Sequence, residues 1–265
     1  DWLMIVHLGW GLAGAAVAST LSMMIGGLIA AWYILFAARQ LRPIRLKWSR
    51  RSLLYSMRNI GYQCTIGISA LMGEGTMAVL TLVGNYVFIT YMGDPGVGAF
   101  GIACYYTPFV YMIGNAVAQS AQPIISYNYG IGNGHRVRST LKVALVTAVL
   151  CGGAVSAAFV LFPYQLTELF VSTGEAAFLL AVKGFPLMAA AFVFFIVNLM
   201  CIGYFQSVER VRPAMAFALL RGAVFLVPSF ILLPKMLGDS GIWLALALSE
   251  LLTTACIAAY AALRR

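Results

Sequence analysis

The chain has 265 residues, 62% of them hydrophobic and 9% charged, with a formal net charge of +9. A soluble domain is about 25% charged, so the apolar residues here outnumber what one core in water could hide, and a water-soluble globule is excluded. The mean hydropathy of +0.91 and apolar runs beyond the roughly 20 residues of one bilayer crossing describe a multi-pass membrane protein, whose crossing segments must be helices because strand edges cannot face lipid.

In chain order, residues 1–8 read as the last turns of a helix. Complete spans follow at 12–37, 56–92, 96–128, 138–162, 176–205, 212–233 and 241–263, punctuated by glycine, proline and charge. The fold class is therefore all-α, with seven complete transmembrane helices plus the end of an eighth. The second and third spans exceed a perpendicular crossing and should tilt or project. Domain boundaries fall at 1–38, at a basic linker over 39–55 that contains Pro43, and at a six-helix block over 56–265. The linker can lie on anionic lipid or stand as a solvated loop.

Lys and Arg fall in alternate connections: Arg39, Arg42, Arg45, Lys47, Arg50, Arg51 and Arg58, then Arg136, Arg138 and Lys142, then Arg210 and Arg212, then Arg264 and Arg265. The opposite loops hold Asp94, Glu168, Glu175 and Asp239, with Lys235 and Lys183 as exceptions. This asymmetry places the 39–58 linker, the 129–142 loop and the C-terminus in the cytoplasm. It also accounts for the basic charge without nucleic acid.

A short internal similarity links the two ends. Gly11, Gly14, Ala18 and Ser22 match Gly238, Gly241, Ala245 and Ser249, each set opening an apolar helix that ends at basic residues. Internal duplication is common among transporters. On this reading the chain carries one whole repeat and the tail of another.

Charges at membrane depth are functional candidates. Glu74 lies mid-span, with Thr81 and Asn85 on the same helical face. A carboxylate with hydroxyl and amide oxygens is a hard-ligand set suited to Na⁺, making Glu74 the candidate metal ligand. A buried Glu can instead carry a proton. The alternative is a Glu that only bonds a neighbouring helix. Thr107, Tyr111, Asn115, Gln119, Gln122 and Ser126 form a polar stripe that lines a cavity or binds a facing helix; Asn198, a lone amide in an apolar run, joins Tyr111, Asn115, Gln119 and Gln122 as a candidate substrate-cavity residue. Arg221 and Glu250 can pair inside the membrane if their helices are neighbours; otherwise each makes separate structural bonds.

Other chemistry finds no footing. Cys64, Cys104, Cys151, Cys201 and Cys256 are scattered singly, with no CxxC or Cys/His spacing. Gly130, Gly132 and Gly134 lack the Lys-Ser/Thr of a phosphate loop and read as a helix stop. No catalytic triad or acid/base pair is present, so no enzyme is expected and no cofactor beyond a coupling ion.

The stretch Gln122 to Gly130, Gln-Pro-Ile-Ile-Ser-Tyr-Asn-Tyr-Gly, resembles the multidrug and toxic compound extrusion (MATE) family. The openings at 11–20 and 238–245 are similar to that family's sixth and twelfth helices. The resemblance implies twelve helices in two lobes, with residues 1–38 the last helices of a truncated N-terminal lobe and 56–265 the C-terminal lobe. It implies exchange of drugs for Na⁺ or H⁺, with Glu74 matching an ion-binding glutamate of the seventh helix. The aspartate that some members use in the tenth helix is absent from 176–205, where only Asn198 stands. The function expected is a cation-coupled multidrug antiporter of the plasma membrane, exporting amphipathic or cationic compounds by alternating access. Two alternatives are a flippase for lipid-linked oligosaccharide or lipid, with the same architecture, and a membrane scaffold that does not transport. By the repeat spacing, roughly 170 residues precede Gly11 in the complete protein, and the fragment alone should not transport without the missing N-terminal lobe.

Overall fold

The structure, a computed structural model, describes residues 3–7, 9–37 and 49–263. Linker residues Arg39, Arg42, Arg45 and Lys47 and the tail Arg264 and Arg265 lie outside the described residues. The chain divides into two compact units, residues 1–58 and residues 59–265.

In the first unit a π-helical turn, Leu3–His7, precedes α1, Gly11–Trp32, which continues as a π turn over Tyr33–Ala37. The Trp10 amide donates to the Met4 carbonyl at 3.1 Å and ties the two pieces together. Helix α1 is apolar on every side, and Met23, Met24, Ile25 and Leu28 are all exposed, the surface of a helix made for an apolar environment.

In the second unit the helices are the continuation of α2 (Arg50–Gly130), α3 (Gly134–Leu161), the short α4 (Pro163–Glu168), α5 (Ala176–Ser207), α6 (Val211–Leu219), α7 (Leu226–Leu237) and α8 (Asp239–Leu263), with a π turn over Leu220–Val224 between α6 and α7. No strand occurs among the described residues. Among the described residues six helices are long and apolar enough to cross a membrane, Glu74–Gly130 among them at 57 residues. The sequence reading has seven spans because it divides this helix at Met92–Pro95. One crossing needs only about 20 residues, and the backbone does break there: Gly93 has φ 65° and ψ −158°. That conformation suits glycine and strains any residue with a Cβ. Gly93→Ala should therefore lower stability by about 1–2 kcal/mol, measured as a shifted thermal unfolding midpoint in detergent.

Helix α5 is the hub. It packs against α3 on one side and α8 on another, and Phe185, Phe192, Phe195 and Ile196 on it are all fully buried. The Ser156 hydroxyl of α3 donates to the Ala189 carbonyl of α5 at 2.7 Å, the kind of bond that joins helices in lipid. Towards one end, Phe88 stacks on Phe100 at 4.6 Å and meets Trp243 edge-on at 4.8 Å. This aromatic cluster ties both arms of the broken α2 to α8.

Candidate functional site

Two polar groups stand on either side of one aromatic ring. The first joins the arms of α2. Tyr111 Oη donates to Glu74 Oε1 at 2.7 Å. The break at Gly93 folds α2 back on itself, and the two residues stand almost equally far from it along the chain. Glu74 is exposed and Tyr111 is half-buried, so the carboxylate can be reached while one of its oxygens is held.

The second group is fully buried. Arg221 Nη2 and Nε donate to Glu250 Oε1 at 2.7 and 3.0 Å. Asn198 Nδ2 donates to Glu250 Oε2 at 2.7 Å and to the Glu250 carbonyl at 2.9 Å. Asn198 Oδ1 accepts from Thr254 at 2.9 Å, and Ser249 Oγ donates to the Arg221 carbonyl at 3.0 Å. Arg221 is 1% exposed, and Glu250 and Asn198 are 0% exposed. Buried ions persist where the pair is close and its remaining polar atoms are bonded; both carboxylate oxygens of Glu250 are occupied, while among the described residues Arg221 Nη1 has no hydrogen-bond partner.

The π turn puts Arg221 there. One extra residue per turn rotates the side chain relative to a regular helix, and such turns often mark functional positions. The neighbouring Gly222 lies against α2, where a methyl group would run into Thr76 Oγ1. Thr76 is itself bonded to the Met72 carbonyl at 3.1 Å, two residues from Glu74. Gly222→Ala should cost about 1–3 kcal/mol by overpacking. Thermal unfolding of the purified variant checks this, and an unchanged midpoint would show that α2 yields freely.

Between the groups lies Phe195. The Arg221 guanidinium carbon sits 4.3 Å from its ring centroid, and Tyr111 meets it edge-on with centroids 6.4 Å apart. Phe195 is not among the residues the sequence singles out. Its spacing of three residues from Asn198 was the available signal, since it puts both side chains on one face of α5.

The other predicted residues are placed as follows. Thr81 Oγ1 donates to the Met77 carbonyl at 2.9 Å, and Asn85 Nδ2 to the Thr81 carbonyl at 3.0 Å. They share a face with Glu74, but Thr81 is about two turns away, some 10 Å of rise, so one ion cannot bind both along a single helix. Thr81 instead lines an open cleft of about 460 Å³ with Met77, Cys104 and Thr107. Asn115 is half-buried, and Gln119 and Gln122 are exposed on the same arm of α2 as Tyr111. Asn198, expected in the substrate cavity, is instead fully enclosed, with its amide committed to Glu250 and Thr254. Among the described residues no group of three or more His, Cys, Asp or Glu could hold a metal ion, so a cation at Glu74 would rely on neutral oxygens.

The MatE family model matches residues 70–231, more than half of the sequence. The chain belongs to the MATE family. Solved structures share its fold. An outward-facing multidrug resistance MATE family transporter of the MOP superfamily superposes with a TM-score of 0.85 at 22% identity, covering 100% of this chain and 58% of that one. A MATE protein in complex with MaL6 gives 0.86 at 22% identity, covering 100% and 59%. A MOP superfamily transporter from Pyrococcus furiosus, described as having a binding pocket of reverse polarity that suggests a different function, gives 0.81 at 20%, covering 100% and 58%. At these identities the likeness shows the fold. The chain thus spans under two thirds of the length of these solved proteins. No curated protein matches it in sequence.

Proposed function

We propose that this chain is the C-terminal lobe, with the end of the N-terminal lobe, of a cation-coupled multidrug antiporter. The observation that carries this is the Glu74 carboxylate, exposed yet held at 2.7 Å by the Tyr111 hydroxyl of the opposing arm. A carboxylate so placed can exchange Na⁺ or H⁺ with the aqueous cavity of a transporter. Ion binding at Glu74 then lowers affinity for an amphipathic or cationic drug at the polar face of Tyr111, Asn115, Gln119 and Gln122, and by linkage the drug weakens the ion equally. Export follows from alternating access, which requires the N-terminal lobe moving against this one. The basic 129–142 loop and the C-terminus face the cytoplasm, with the protein in the plasma membrane.

The test is ethidium efflux from cells expressing the complete gene, under an imposed Na⁺ gradient and under a pH gradient. Efflux driven by one of the two supports the reading and names the ion. Absence of efflux under both, with the protein correctly inserted, refutes it and leaves a scaffold or a flippase.

A further inference from the structure

Phe195 touches both the buried Arg221–Glu250 pair and the tyrosine that holds Glu74. The guanidinium lies 4.3 Å from the ring centroid on one side, and the Tyr111 ring packs against it edge-on. Among the described residues, Arg221 Nη1 is buried without a hydrogen-bond partner. The aromatic face therefore helps hold the guanidinium where it is. The ring in turn is fixed by a charged group whose own position is set by Glu250, Asn198 and the π turn.

We propose that Phe195, clamped by Arg221, is a positioning residue that sets the orientation of Tyr111 and thereby the affinity of Glu74 for the coupling ion. The proposal rests on the reading of Glu74 as the ion site. The physical chain is short. The Tyr111 hydroxyl can reach Glu74 Oε1 only while its ring stays in one orientation, and the Phe195 ring limits that orientation. The guanidinium keeps Phe195 from rotating, because moving it forfeits a desolvated cation–ring contact. The titratable and charged groups brought to this cluster are Glu74 and Tyr111 on α2, Arg221 on the π turn and Glu250 on α8. A second connection reinforces the first: the Gly222 backbone rests against Thr76, so the turn that carries Arg221 also abuts the segment that carries Glu74.

The test is the ion concentration giving half-maximal ethidium efflux in the full-length transporter. Phe195→Leu should shift it by roughly threefold to tenfold, the weight of one ring–ring and one cation–ring contact. The same substitution in a Tyr111→Phe background should add no further shift, because Phe195 acts through Tyr111. If Phe195→Leu does not accumulate, Phe195→Met serves the same comparison. A loss of thermal stability with the midpoint unmoved would make Phe195 packing alone and overturn the proposal. So would a full additional shift in the Tyr111→Phe background. Glu74→Gln measured alongside separates two failures. If it keeps wild-type ion dependence, the ion-site reading falls and this proposal with it. If it loses that dependence while the Phe195 variants do not move the midpoint, only this proposal falls.

Discussion

Arg221→Met should be the most destabilising single substitution in the lobe, at about 3–5 kcal/mol. It removes the guanidinium and leaves the Glu250 carboxylate at 0% exposure, supported by Asn198 alone. A lone buried carboxylate must lose its charge or draw in water, and either disturbs the α5–α8 contact. The Arg221→Met/Glu250→Gln double variant should recover most of the loss, because the unpaired charge goes while the amide can still meet Asn198. Chemical or thermal unfolding of the wild type, the Arg221→Met and Glu250→Gln single variants and the double variant, all full-length, supplies the comparison. Additive losses would show that the two side chains act separately despite their 2.7 Å contact.

Glu74→Gln should leave a protein that folds and binds drug but whose efflux no longer responds to the driving gradient. The exposed site tolerates an amide, and Gln can still accept from Tyr111, so stability should change by less than about 0.5 kcal/mol. The amide carries no titratable proton and no charge for Na⁺, so coupling is lost. Tyr111→Phe should have a smaller effect in the same direction. Its carboxylate remains, but one orienting bond, worth about 1.5–3 kcal/mol for a charged acceptor, is gone. Efflux rates at several gradient strengths distinguish loss of coupling from loss of transport.

Much of this arrangement was legible in the residues. Gly93, Asp94 and Pro95 mark a turn, and the turn alone brings the two arms of α2 together. Glu74 and Tyr111 each stand out in the sequence, one as a charge at membrane depth and the other in a polar stripe. Their near-equal distance from Gly93 was the sign that they meet. Arg221 and Glu250 stood out as charges within apolar spans. That Asn198 completes their cluster depends on how α5 and α8 rotate about their axes, which hydropathy does not specify. The π turn at Leu220–Val224 was invisible for a related reason: one extra residue in an apolar helix leaves composition unchanged while turning Arg221 inward. Helix α4 has only six residues, too few for a periodic pattern, so its sequence reads as part of a loop. Phe195 was lost among the aromatics around it, since nothing in a run of phenylalanines says which one meets a cation.

The most direct measurement is the drug affinity of the purified full-length protein, titrated with ethidium over a range of Na⁺ concentrations and of pH, for wild type and Glu74→Gln. The account predicts that affinity in the wild type falls as the coupling ion is raised, and that in Glu74→Gln it is flat. A wild-type affinity independent of both ions, or a Glu74→Gln protein that retains the full dependence, would contradict it.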